Sequence, residues 1–476
     1  MMNRRKFISQ TGIASAAILT VPAFAKGMYS GNNFVSKRPS VGKRKFTSKA
    51  IEKVILKTKA QIKDPELAWM FENCFPNTLD TTVEYQEING HPDTFVITGD
   101  IHAMWLRDST AQVWPYLPFV NEDPALKKLI LGVINRQGKC IAIDPYANAF
   151  NKNAEGSEFD KDLTDMKPEL HERKWEIDSL CYPVRLAYHY WKQTGDSSFF
   201  TPSYEAALRL ILSTFTEQLR IKGKGPYHFM RITEKATDTV TGGGYGNPVK
   251  PVGLICSAFR PSDDSTTFPF LVPSNYFAVV TLRQMAEMFS VIKNDQSFAS
   301  DCKNLAVRVE NALKGYAVSE HLNYGKILAF EVDGFGNQLF MDDANTPSLL
   351  SLPYLGCLQP SDSLYRNTRK FVLSADNPWF FKGKAGAGIG GPHVGEEMIW
   401  PLSLIMQAIT SDDKEEIRYC LQTLKKTHAG TGFMHETFHK DNPEKFTRSW
   451  FAWANSFFGE LILKVAHNYP DLLNIA

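Results

Sequence analysis

From residue 47 almost to the C-terminus, apolar residues recur at helical spacing. Leu208, Ile211, Leu212, Phe215 and Leu219 fall at i, i+3, i+4, i+7 and i+11, and Leu282, Met285, Phe289 and Ile292 repeat the pattern. Such stripes mark amphipathic helices with one face turned to a core. They predict helices over about 47–62, 64–73, 105–119, 124–139, 175–195, 203–222, 273–293, 296–318, 345–357, 362–375, 396–411, 413–428 and 449–468. Many come in pairs joined by short polar breaks, as at Gly195-Asp196-Ser197, Lys293-Asn294-Asp295 and Ser411-Asp412-Asp413. Between pairs run long irregular stretches, Asp144–Lys174, Lys222–Val272 and Ala375–Glu396, and long loops in a compact domain usually carry function. Helical hairpins with short turns on one side and long loops on the other predict an all-α fold. Six of them make an (α/α)6 toroid whose long loops form the site face. An irregular helical bundle is the other arrangement; no repeat of fixed period appears, which argues against an α-solenoid.

The N-terminus carries a separate signal. Arg4, Arg5 and Lys6 form a positive head, Ile13–Phe24 is small and apolar, and Ala23-Phe24-Ala25 has the small-x-small form of a cleavage site. This predicts a signal peptide over 1–25, and Asn3–Ile8 also resembles a twin-arginine signal. A flexible polar leader over 26–44 and a single helical domain over 45–476 follow, with a periplasmic or secreted location. The apolar stretch is short for an anchor, and no later segment offers the roughly 18 apolar residues of a membrane helix. A net charge of +2 with mixed signs gives no stripe for nucleic acid. Seven cysteines are scattered without a C-x-x-C pair. They read as small buried hydrophobes rather than a zinc site, although an exported chain permits one disulfide.

Acids and aromatics meet in five places. Trp105-Leu106-Arg107-Asp108-Ser109 and Trp175-Glu176-Ile177-Asp178-Ser179 each open a helix. Arg260-Pro261-Ser262-Asp263-Asp264-Ser265 lies in a long loop before a helix. His393-Val394-Gly395-Glu396-Glu397 precedes a helix expected at Met398, and His435-Glu436-Thr437-Phe438-His439 precedes the last. All five sit at loop-to-helix junctions, so all can ring one mouth. Cleaving a glycosidic bond needs one carboxylic acid to protonate the leaving oxygen and a second carboxylate to activate water or attack carbon; aromatic platforms and Arg–Asp pairs hold hydroxyls. Each cluster also has an ordinary reading. Asp108 and Asp178 suit N-caps, Asp263-Asp264 a cap and loop solvation, and Glu396-Glu397 first-turn acids on a helix dipole. Adjacent buried acids raise one pKa, as a general acid requires. Glu436, between two histidines after Gly430-Thr431-Gly432, is the hardest to read as structural. The Gly-rich runs at 241–246 and 384–391 lack the lysine or βαβ setting of a nucleotide loop. No metal site is expected, because His393, His435 and His439 do not have ligand spacing.

Together these motifs resemble glycoside hydrolase family 125, the metal-independent exo-α-1,6-mannosidases. The resemblance runs from about residue 45 to the end. It rests on Gly99–Ser109, on Trp175–Pro183, on Phe259–Asp264 with Val272-Pro273-Ser274-Asn275, and on His435-Glu436. The Trp-x-Arg-Asp-Ser core is also similar to that of other (α/α)6 hydrolases such as glucoamylases. The resemblance implies an inverting mechanism without cofactor or metal, acting on the terminal mannose of α-mannoside oligosaccharides. It implies a general acid in the Asp263-Asp264 pair, with Asp263 favoured, and Glu436 as general base. Arg107 and Asp108 would grip hydroxyls, with His102, Trp105, Asp178, His393 and Glu396 or Glu397 as further contacts. A non-catalytic sugar-binding toroid and another (α/α)6 enzyme, an α-glucosidase or a sugar epimerase using His pairs, are the competing expectations.

Overall fold

The computed structural model describes residues 34–474. The export signal read in residues 1–25 and the first part of the leader lie outside the described residues. The compact unit begins at Ser36, ahead of the boundary expected at 45. Residues 36–44, expected to be a flexible leader, are tied down: Arg38 places its guanidinium 2.7 Å from Asp80 and 2.5 Å from Glu52. Asp80 is buried, and a buried carboxylate needs a paired cation.

Two kinds of helix make up most of the body. Lys49–Gln61, Pro65–Cys74, Pro124–Ile143, Pro202–Glu217, Gln296–Tyr316 and Lys414–Lys426 are amphipathic and carry side-chain caps. Ser48, Asp64, Asp123, Thr201, Asp295 and Asp413 accept from backbone N–H groups of the first turn, and Pro65, Pro124 and Pro202 stand just inside. The second kind is nearly wholly buried: Leu106–Val113, Ile177–Thr194, Val272–Met288, Pro401–Ile409 and Ala452–Asn468. Their cap positions are Trp105, Glu176, Leu271, Trp400 and Phe451, none with a side-chain cap bond. These uncapped ends are where the candidate site residues gather.

The Leu106 helix packs on the Ile177 and Ala452 helices, Ile177 also on Val272, and Ala452 also on Pro401. Each buried helix has amphipathic neighbours: Pro124 beside Ile177, Gln296 beside Val272, Lys414 beside Pro401, Pro65 beside Ala452. The short breaks predicted between hairpin partners hold, with Gly195 and Asn294 in the left-handed region that stops a helix.

The expectation of an all-α chain is corrected. Short antiparallel pieces punctuate the loops. Three of them, Met104–Trp105, Phe270–Leu271 and Met398–Ile399, lead directly into buried helices and pair with strands of the long loops. Loop backbone that is buried must still find hydrogen bonds, and two- or three-residue pairings supply them. Met398 is therefore strand, and the helix expected from 396 starts at Pro401. The helix expected over 345–357 does not form. Pro347 and Pro353 interrupt it, and the Asp342 carboxylate instead takes the Leu349 and Leu350 N–H groups. The stretch 105–119 turns from α to 3₁₀ at Trp114, where Pro115 and Pro118 fall. All seven cysteines are free, and among the described residues no helix is long and apolar enough to cross a membrane.

Candidate active site

Arg107 stands in the first turn of the Leu106 helix and gathers acids from three segments. Its Nη1 donates to Glu176 at 2.6 Å and to Asp178 at 3.1 Å; its Nε lies 3.4 Å from Asp108 and its Nη2 3.7 Å from Asp263. The guanidinium also sits 5.7 Å over the Trp453 ring. Burial opposes its charge, but Glu176, Asp178, Asp108 and Asp263 hold it far above its ordinary pKa. One cation does not neutralise three buried acids and a fourth that is partly exposed. Burial accordingly lifts Asp108 to about 6 against the pull of Arg107, and lifts Glu176 well above the usual carboxylate range.

Asp263 projects from the loop behind this cluster with its backbone at φ 66°, a left-handed conformation uncommon for a residue with a side chain. The turn is locked by Asp263 N–H to Arg260 O at 2.9 Å and Arg260 N–H to Asp264 O at 2.8 Å. Arg260 in turn is anchored on buried Glu331 at 2.6 Å. Lys174 Nζ donates to the Asp263 carbonyl at 3.0 Å, and Asn148 Nδ2 reaches the carboxylate at 3.4 Å. The turn points neighbouring acids in different directions. Asp263 keeps its side chain 26% exposed and lines the cavity. Asp264 is fully buried, 3.1 Å from Ser262 Oγ, 3.5 Å from Lys235 and 3.7 Å from His393. The expectation that the adjacent pair raises one pKa is corrected. Burial pushes both up, but Lys174, Arg107 and His393 hold Asp263 low, and His393 with Lys235 brings Asp264 to about 2.

Glu436 comes from a different segment. Its N–H donates to Thr447 O at 3.2 Å as the chain passes into strand Thr437–His439, which pairs with Asn442–Thr447 and with Met398–Ile399. Arg448 Nε lies 3.4 Å from its carboxylate and Arg448 Nη1 bonds Asp100 at 2.6 Å. His435 stacks on Phe446 at 3.8 Å and meets the Arg448 carbonyl through Nδ1 at 3.1 Å, which fixes the backbone before Glu436.

Asp263 and Glu436 line one cavity, with Trp105, Arg107, Asp108 and His393 in its walls. Trp105, Trp400 and Trp453 add aromatic surface, and the indole N–H of each is buried with no protein partner. An unmet buried donor costs about 1–3 kcal/mol; three in one wall suit a ligand rich in hydroxyls. Among the described residues no group of three or more His, Cys, Asp or Glu is placed to hold a metal.

Other predicted contacts fall elsewhere. Asp178 lies behind Arg107 as its partner, and Asp264 holds His393; neither lines the cavity. His102, Glu396 and Glu397 are exposed and outside it. The turn that carries the two glutamates directs Glu397, φ 65°, towards His439 and Lys440 at 3.2 Å each. Sequence reasoning passed over Lys174, Asn148, Trp400, Trp453 and Arg448 as site residues, and quoted Glu176 only within its motif. The signal for Glu176 was its spacing of two from Asp178 at a helix start, opposite an arginine that needed partners.

A helical scaffold with two carboxylates in one aromatic-lined cavity is an arrangement that suits glycoside hydrolysis. A family model described as metal-independent alpha-mannosidase (GH125) matches residues 64–463, and the chain belongs to that family. It is 42% identical over 455 residues to the meiotically up-regulated gene 157 protein of Schizosaccharomyces pombe, covering 92% of this chain and 89% of that one. A Streptococcus pneumoniae metal-independent α-mannosidase, solved as a non-productive substrate complex with α-1,6-mannobiose, is 42% identical. It superposes with a TM-score of 0.85 over 91% of this chain and 100% of its own. A bacterial glucoamylase complexed with acarbose shares the fold at 12% identity and a TM-score of 0.53, over 88% of this chain and 59% of that one.

Proposed function

We propose that this α-mannosidase is exo-acting and inverting, and releases terminal α-1,6-linked mannose from mannan or N-glycan oligosaccharides. Asp263 is the general acid, Glu436 the general base. The observation that carries the reading is that these two carboxylates, held by unrelated segments, line the same cavity. Asp263 protonates the glycosidic oxygen as the bond to the anomeric carbon breaks. Glu436 takes a proton from water attacking the opposite face, and the sugar passes through an oxocarbenium-like state. Arg107 is immobilised by Glu176 and Asp178; with Asp108 it grips hydroxyls of the terminal sugar, and the indole N–H groups add donors. The linkage is supported by the α-1,6-mannobiose in the Streptococcus pneumoniae relative. The buried and amphipathic helices are read as the inner and outer rings of an (α/α)6 toroid.

An epimerase reading needs a histidine pair facing the sugar. His393 is held by Asp264 and His439 by Glu397, and His393 is the one histidine in the cavity wall. The test is turnover of linkage-defined mannobioses, with EDTA present, by wild type, Asp263→Asn and Glu436→Gln. Wild type should cleave the α-1,6 isomer, and each substitution should lower its rate by ~10²–10⁴-fold. Near-wild-type turnover in both variants overturns the assignment.

A further inference from the structure

Glu176 does not line the cavity, yet it is completely buried behind Arg107 and Asp263, which do. Its Oε2 accepts from Arg107 at 2.6 Å and from Ser179 Oγ at 2.8 Å. Its Oε1 is buried and receives no hydrogen bond, while its carboxyl lies within hydrogen-bonding reach of Asp263. The charges that surround this pair are unequal. Asp178, from the same helix, and Asp108, from the Leu106 helix, share Arg107 with Glu176 and Asp263. Lys174 approaches Asp263 from the strand side but is also held by Glu172 and Asp238. His393 faces Asp263 from the loop across. The Tyr227 phenol, close to Glu176, is tied to the Trp175 and Arg173 backbone. Ionising every carboxyl here strands buried negative charge, which proteins avoid by keeping a proton. Asp178 also has a bare oxygen, but it stands in the first turn of a helix, where the dipole favours its charge. Glu176 has an acceptor for an O–H in Asp263.

We propose that Glu176 is a positioning residue that stores the proton Asp263 delivers. The proposal rests on the reading of Asp263 as general acid. In the empty site the proton sits on Glu176 and bonds Asp263. When the sugar excludes water it moves across: the Glu176 O–H breaks, the Asp263 O–H forms, and Glu176 is left ionised on Arg107 and Ser179. Asp263 then gives that proton to the glycosidic oxygen, which also takes the electron pair of the breaking C–O bond. The attacking water bonds the anomeric carbon and yields its proton to Glu436. Glu436 later loses it to solvent, and a solvent proton reloads the pair. The arrangement answers a difficulty at the acid. Burial raises Asp263, but Lys174, Arg107 and His393 pull it below the ordinary range, so alone it would enter catalysis without a proton. Glu176, lifted by burial far above its ordinary value, makes the two titrate as a unit.

The test compares Glu176→Gln with Asp263→Asn. Glutamine keeps an N–H towards Asp263 and an oxygen for Arg107 but has no transferable proton. E176Q should lose ~10²-fold or more on α-1,6-mannobiose at neutral pH, and the alkaline limb of its kcat/KM profile should move acidward by more than one pH unit. Its loss of kcat on 2,4-dinitrophenyl α-mannoside, whose leaving group needs no proton, should be at least ~10-fold smaller than on mannobiose. A wild-type pH profile in E176Q, or equal losses on both substrates, overturns the proton store. Wild-type mannobiose turnover in D263N instead removes the acid assignment beneath it. If E176Q does not fold, Ser179→Ala tests the same point: losing a donor to ionised Glu176 raises its pKa, so the alkaline limb moves to higher pH. An unmoved limb overturns the proposal.

Discussion

The surroundings of Asp263 and of Glu436 differ in burial and in charge. Behind Asp263 most of the charges are buried, with Arg107 against Glu176, Asp178 and Asp108, and Lys174 against Glu172 and the partly exposed Asp238. Behind Glu436 stands one arginine, Arg448, 31% exposed and bonded to the rim residue Asp100. In the proposed roles, a base has only to be ionised, which water and one cation provide. An acid must hold a proton where solvent would remove it, and that takes a buried excess of carboxylates.

The sharpest contrast is between leaving groups. Asp263→Asn should lose natural substrate by ~10²–10⁴-fold yet spare 2,4-dinitrophenyl α-mannoside, whereas Glu436→Gln should lose both; steady-state rates on the two substrates check this. Next comes stability. Arg107→Met leaves buried acids without their cation and should cost about 3–5 kcal/mol in urea unfolding. A smaller effect separates the two neighbouring aspartates. Asp264, lowered from 3.8 to about 2 with its side chain fully buried, supplies about 2 kcal/mol. That stability is present above pH 3.8 and lost as pH falls through 3.8 towards 2; unfolding measured across that window should show the loss in wild type and not in Asp264→Asn. Smallest of all, Arg448→Met should cost less than about 1 kcal/mol, because the Arg448 pairs lie near solvent. A larger loss would make the base wall as buried as the acid wall.

Helix period and polar breaks made most helices legible, because amphipathic helices write their burial into every third or fourth residue. The pairings at Met104, Phe270 and Met398 were not, since two-residue strands have no period. Nor was the turn at 345–357, where apolar spacing looked helical but Asp342 and two prolines impose another path. In the site, the motifs carrying Asp263, Arg107 and Glu436 were readable as a set. The exposure of His102, Glu396 and Glu397 was not, because a turn of one residue decides whether an acid faces a cavity or water. The opposite fates of Asp263 and Asp264 depend on Lys174, Lys235 and His393, which are distant in sequence. Those partners also reversed the expected pKa rise.

The direct test of two carboxylates acting from opposite faces is the anomer first released from α-1,6-mannobiose, followed by proton NMR before mutarotation. β-Mannose should appear first. Initial release of α-mannose would mean retention, and would contradict Glu436 as the base that activates water.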